Sequence, residues 1–208
     1  MESIISSLNK ISKDYIGSDF IFHKKESFLY VNSGINISQA INIRKNDSQQ
    51  VNVSNWFDDI WLYIELRYII NPAKSKKVIP NIFFSLSVFQ GESDDIEKIQ
   101  LFRAEWDNYE TPSNYHPQPH WHFYTRKDIE DLKKTFPELI ASPEDNFEDY
   151  IKSDREIIDI EKFHFAMNGQ WSINHSDVHE ISTESELTNW FAGVLNHIRK
   201  ELEYLKEK

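Results

Sequence analysis

Between residues 20 and 124 apolar residues gather in short runs, several of them alternating with polar ones, and toward both ends of the chain they recur at helical spacing. Ile4, Ile5, Leu8, Ile11 and Tyr15 recur at helical spacing, which predicts a short amphipathic helix over residues 3–15, ended by Gly17. Phe20-Ile21-Phe22, Phe28–Val31 and Ile35–Ile43 then read as strands separated by charged or Gly-containing breaks. Residues 45–55 open with Lys45-Asn46-Asp47-Ser48-Gln49-Gln50 and are expected to form an exposed polar loop. Ile60–Ile70 and Ile79–Gln90, separated by the Asn71-Pro72 turn, are rich in β-branched and aromatic residues and read as strands. Ile99–Asp107 and His120–Tyr124 follow as two more. Short connections favour antiparallel pairing in a meander.

Beyond Tyr124 the pattern turns helical. Thr125 and Asp128 resemble a capping box ahead of Ile129, Leu132 and Phe136, predicting a helix over residues 126–136 that Pro137 stops. Residues 141–156 read as an acidic surface excursion, and Phe163–Ile173 as a hairpin turning at Asn168-Gly169. Thr183 and Glu186 form a capping box before a stripe of Leu187, Trp190, Phe191, Val194, Leu195, Ile198, Leu202 and Leu205, which predicts a long helix over 184–206. The expected fold class is therefore α+β, an antiparallel sheet of four or more strands with flanking helices. One domain is expected over 1–208, with the sheet near 20–124 and a helical and hairpin region near 125–208.

Composition narrows the function classes. Acidic residues outnumber basic ones 34 to 23, for a net charge of -11, so nucleic-acid binding would need a local basic patch. The absence of cysteine excludes disulfides and thiolate metal ligands. The first residues lack a basic leader with a continuous apolar run, and no stretch approaches the ~20 apolar residues of a membrane span. A cytoplasmic protein that does not enter a membrane is the expectation. There is no Gly-rich phosphate loop, no dinucleotide fingerprint and no Gly-x-Ser-x-Gly elbow, which disfavours nucleotide-driven motors and hydride transfer.

The densest chemistry lies in two strands. On the strand ending at Asp107, Arg103, Glu105 and Asp107 share one face, while Phe102, Ala104 and Trp106 share the other. After the loop containing His116-Pro117-Gln118-Pro119, His120 and His122 share a face opposite Trp121 and Phe123. If the strands are neighbours, two imidazoles and one or two carboxylates converge. That set suits Zn²⁺, Mn²⁺ or Fe²⁺ better than Mg²⁺, which prefers oxygen. The candidate metal ligands are His120, His122, Asp107 and His116. Glu105 is the candidate general base, if burial raises its pKa, and Arg103 the candidate anion clamp. The bland alternative is a solvent-facing strand with an ordinary Arg103–Glu105 surface pair. Two further clusters carry less. Asn174–Glu180 precedes the last helix, and Glu65 with Arg67 reads as a cross-strand pair.

The run Arg103-Ala104-Glu105-Trp106-Asp107 followed by His116-Pro117 and His120-Trp121-His122 resembles a motif in small uncharacterised bacterial proteins. In those, a strand ending in an aromatic-Asp pair precedes His-Pro-x-x-His-x-His, and some lie beside toxin–antitoxin or phage-defence genes. The resemblance covers about a tenth of the chain. It implies a genomic context and favours Asp107, His120 and His122 as site residues.

Two readings follow. The first is an accessory or interaction subunit of a bacterial defence or toxin-type assembly, joined to a protein partner or a second copy through the C-terminal helix. That helix is expected to pack its first half on the sheet and to carry the stripe from Ile198 to Leu205 past the domain edge. The alternative is a metal-dependent hydrolase acting on a phosphodiester or nucleotide. A weaker third reading is a binder of single-stranded RNA or peptide that stacks on Trp121, which the acidic charge disfavours for nucleic acid.

Overall fold

The computed structural model describes residues 2–17, 20–26, 29–33, 36–44, 47–69, 81–95, 98–107, 119–124, 157–164 and 184–207. Helix α1 (Glu2–Tyr15) is followed by strands β1 (Ile21–Glu26), β2 (Leu29–Ser33), β3 (Ile37–Arg44), β4 (Asp47–Phe57), β5 (Ile60–Ile69), β6 (Asn81–Gln90), β7 (Ile99–Asp107) and β8 (His120–Phe123). A single 3₁₀ turn, Ile160–Lys162, precedes helix α2 (Glu184–Lys206). The eight strands form one sheet in which every pairing is antiparallel, so the fold is α+β. The expected helix at 126–136, the hairpin at 163–173 beyond His164, and the Asn174–Glu180 cluster lie outside the described residues.

The meander holds from β3 to β8, but β1 and β2 break it. The β1–β2 hairpin returns to pair with β5, at Leu29–Val31 against Glu65–Arg67, while β4 pairs with β5 only at Ser54–Phe57 against Ile60–Leu62. One edge of β5 thus changes neighbour part-way along. Asn32 fills the junction: its Nδ2 donates to Ser54 Oγ (2.8 Å) and Leu62 O (3.3 Å), and its Oδ1 accepts from Ile64 N (2.7 Å). Backbone groups that would be left without a ladder partner at the change-over are satisfied by one buried amide.

Residues 45–55 are not an exposed loop, because most of them belong to β4. Asp47 to Ser54 pairs with Ile37 to Arg44 in eight register positions. Val51 and Val53 are buried while Gln49, Gln50 and Asn52 are exposed, so the strand is half-buried with the usual alternation. The polar side chains at its start face water, with Gln50 donating across the pair to Gln39 (2.7 Å). The β4–β5 turn places Asp58 at φ 47°, a left-handed conformation that Asp tolerates better than most side chains.

The sheet has two unlike faces. Leu62, Ile64, Leu66, Phe84, Leu86, Val88, Phe102 and Trp106 point to one side and form the main core with both helices. Phe191 of α2 meets Phe84 (5.1 Å between ring centroids) and Phe22 (6.0 Å). The opposite face has a small apolar cluster of Val31, Ala40, Val51, Val53, Trp61, Tyr63 and Phe89 beneath the β3–β4 hairpin, and beside it a polar layer.

Helix α2 does not overhang. Leu187, Phe191, Leu195, Ile198 and Leu202 are all fully buried in the main core. Its last turn is tied down as well: Lys206 pairs with Asp59 and Asp58 and lies over Phe57, as does Arg199. Leu202→Asp is therefore expected to destabilise the fold by about 4 kcal/mol or more, because it buries an unpaired carboxylate. Urea denaturation reads this directly. A variant that unfolds at the wild-type midpoint would show that the helix end is not core.

Candidate metal centre

The polar layer is built by register. Glu65, Ser85, Glu105 and His120 lie opposite one another across β5, β6, β7 and β8, and Tyr63, Ser87, Arg103 and His122 form the next row. Alternation does the rest: with Phe102, Ala104 and Trp106 in the main core, Arg103 and Glu105 must face the other way. Trp121 of β8 packs against Phe102 (5.5 Å) and Phe163 (6.2 Å), which fixes β8 and turns His120 and His122 onto the polar face.

Three donor atoms converge. Glu105 Oε2 lies 3.1 Å from His122 Nε2 and 3.3 Å from His120 Nε2, and the two imidazole nitrogens are 2.9 Å apart. Each nitrogen carries either a hydrogen or a lone pair, and the carboxylate oxygen carries only lone pairs. No placement of hydrogens satisfies all three edges. One hydrogen shared from His120 leaves the His122 lone pair against the carboxylate, and two hydrogens oppose each other. A cation inside the triangle satisfies all three. The edges are also close to the right length, since ligand atoms about 2.1 Å from a metal stand roughly 3.4 Å apart in a tetrahedron and roughly 3.0 Å apart in an octahedron. Glu105, His120 and His122 form a group that could hold a metal ion.

Protonation agrees with that use. Burial alone would raise the Glu105 carboxyl, but the hydrogen bond from His120 and the charges of Arg103, His122 and His120 outweigh it and hold the pKa down at about 2. Burial lowers the His122 imidazole, and Arg103 lowers it further, which leaves a lone pair for coordination at neutral pH. Side-chain exposure is 9% for Glu105, 16% for His120 and 38% for His122, so the open side of the triad is at His122.

The remaining members are held from behind. Arg103 Nε sits 2.8 Å from Glu105 Oε1, a close ionic contact whose N–H direction misses the oxygen, and Nη2 donates to Oε2 at 3.3 Å. Arg103 Nη1 and the Tyr124 hydroxyl both donate to Ile43 O at 2.7 Å, and Ile43 N donates to Gln100 Oε1 at 2.7 Å. The tip of the β3–β4 hairpin thus anchors the guanidinium that orients the carboxylate. Beside this, Glu65 is buried between Arg44 and Arg67, with Arg67 Nε at 2.5 Å and the Tyr63 hydroxyl at 3.3 Å. Ser85, fully buried between Glu65 and Glu105 in the row, has no hydrogen-bond partner for its hydroxyl. Lined up this way, the chain has a buried ionic layer leading to an open three-ligand corner.

No protein-family model, curated protein or solved structure matches this chain. The site is read from its own geometry.

Of the residues singled out in the sequence, Arg103, Glu105, His120 and His122 come together. Asp107 ends β7 opposite Phe83, one step along the strand face from Glu105, but its side chain lies outside the described residues, as does His116. Two assigned roles change. Glu105 does not have the raised pKa that a general base at neutral pH needs, because the cations around it outweigh its burial, so it is better suited to be a ligand. Arg103 is 4% exposed and occupied by Glu105 and Ile43 O, so it positions the carboxylate and is not a free anion clamp. Glu65 and Arg67 pair along one strand, not across two. Arg44, Tyr63, Ser85 and Tyr124 had no signal beyond their residue type. Among the described residues no helix is long and apolar enough to cross a membrane.

Proposed function

We propose that this protein is a metal-dependent hydrolase of phosphate-bearing substrates, with Glu105, His120 and His122 as ligands of one divalent cation. The observation that supports it is the triangle of three donor atoms, 2.9–3.3 Å on each side, in which no arrangement of hydrogens satisfies every edge and a cation would. Two imidazoles and one carboxylate suit Zn²⁺, Mn²⁺ or Fe²⁺. Three protein ligands leave coordination positions free on the exposed His122 side, where such an ion supplies Lewis acidity and an acidified water. The chain's own residues do the rest: Arg103 holds Glu105 in place, and the hairpin carbonyl of Ile43 holds Arg103. The accessory-subunit reading drew on the lack of a complete catalytic signature, the acidic surface and the apolar-striped terminal helix; of these, the stripe is occupied within the chain, since Ile198 and Leu202 lie in the main core.

The test uses the full chain, stripped with chelator and reloaded separately with Zn²⁺, Mn²⁺ or Fe²⁺, and assayed on bis(p-nitrophenyl) phosphate and on nucleoside monophosphates. Turnover is expected with at least one metal and not with the stripped protein or with His120→Ala. Tight metal binding without turnover of any phosphate ester would discard the hydrolase assignment and leave a metal-binding protein.

A further inference from the structure

We infer that Arg44 and Arg67, both over the Phe83 ring, form a phosphate-binding subsite on the same face of the sheet as the metal triad. This deepens the hydrolase reading by naming where a second, non-reacting phosphate of the substrate sits. Arg67, Phe83 and Asp107 are in register across β5, β6 and β7, two residues along from the row of Glu65, Ser85, Glu105 and His120. Two residues along a strand is about 7 Å, and the strands between β5 and the triad on β7 and β8 add roughly 10 Å across the same face of the sheet, so the second phosphate is one set well apart from the reacting one.

Three observations argue for an anion there. The first is charge. Glu65 is 3% exposed and needs one cation for neutrality, yet it is paired with two guanidinium groups, which among the described residues leaves a unit of positive charge at the cluster in a chain whose net charge is -11. The second is donor supply. Arg44 engages Glu65 through Nη2 and has a buried Nε with no partner, while Arg67 engages it through Nε and keeps a side chain that is 48% exposed. The third is placement. The guanidinium carbons lie 5.4 and 5.3 Å from the Phe83 ring centroid, so both cations are gathered over one ring. Two guanidinium groups gathered by cation–π attraction offer forked N–H donors of the kind that phosphate oxygens accept. A purely structural role for Glu65 accounts for one arginine and not for the exposed second.

The experiment separates this subsite from the metal reading. Stripped full-length protein is titrated with inorganic phosphate by calorimetry at constant ionic strength, with sodium chloride as the control anion, and the series is repeated for Arg67→Gln and Arg67→Lys. Phosphate is expected to bind wild type, about tenfold or more weaker to Arg67→Gln and to an intermediate degree to Arg67→Lys, with zinc affinity the same in all three. Equal phosphate affinity in wild type and both variants, no phosphate binding by wild type, or an equal response to chloride would each overturn the subsite. Should Arg67→Gln fail to fold, the lysine variant alone decides. Loss of zinc binding with phosphate binding retained would refute the metal reading and leave the subsite standing.

Discussion

One equivalent of zinc is expected to bind the stripped protein and raise its melting temperature, and His120→Ala or His122→Ala is expected to lower the affinity on the order of 100-fold. The size follows from the ligand count. Three donors supply the attachment, so removing one removes about a third of it, and the two that stay are no longer held at coordination distance on every side. His122→Ala opens the site further than His120→Ala, since His122 is already the more exposed, so zinc should be lost faster from it. The pH profile has a definite sign. Coordination needs neutral imidazoles and an ionised carboxylate, so binding is strong at neutral pH and falls as the solution is acidified through the histidine range. The lowered His122 keeps that nitrogen competitive to a lower pH than an ordinary histidine, and Glu105, at about 2, is not the group that limits it. Competition against a chromogenic chelator, with elemental analysis for stoichiometry, measures all of this. Zinc affinity indifferent to either alanine would remove the triad as the site.

Arg103→Met is expected to cost about 3 kcal/mol or more of stability in the metal-free protein, because it leaves the Glu105 carboxylate buried without its guanidinium. Zinc should return part of the loss, since the ion supplies positive charge to the same oxygen. The variant's metal-induced gain should therefore exceed that of wild type. The acid limb gives a second reading. In wild type the folded pKa of Glu105 is depressed to about 2, so its contribution to stability is present above the ordinary carboxylate range and is lost as pH falls towards 2. Without Arg103 one of the groups that hold the carboxyl down is lost while the His120 hydrogen bond stays, so the folded pKa moves up from about 2 and the penalty relaxes as the carboxyl protonates. The stability gap between the two proteins should thus narrow as pH falls from 7 through the carboxylate range in urea titrations. A gap that stays constant across that range would mean that Arg103 contributes packing and not charge.

The parts of this fold that could be read from the residues are those with a sustained local signal. Strands β5 and β6, buried on both faces, are rich in β-branched and aromatic residues, and α2 repeats its stripe through six turns, so composition identified the first and period the second. The convergence of Arg103, Glu105, His120 and His122 followed from strand alternation once β7 and β8 were neighbours. Strand β4 was missed because its first residues are polar on both faces, and the signal lay in Val51 and Val53, too few to outweigh them. Sheet order was beyond reach for a different reason. That β2 skips the β3–β4 hairpin to join β5 depends on Asn32 satisfying three separate groups, and an isolated Asn in a strand carries no mark of its partners. Glu65 with Arg67 shows a limit of pairing rules: residues two apart on one strand share a face and can pair with each other, and only Arg44, 21 positions away, turns that pair into a buried cluster.

Strand β8 closes the described sheet with four residues, and it carries two of the three proposed metal ligands. Affinity measured for the whole population is then the intrinsic affinity multiplied by the fraction of molecules in which that terminal strand is docked. What keeps it docked on the far side is hydrophobic: Trp121 against Phe102 and Phe163, none of which touches the ligand atoms. Chemical selectivity of the site belongs to histidine and glutamate, whereas how long the coordination shell stays assembled is set by an aromatic contact through the thickness of the sheet.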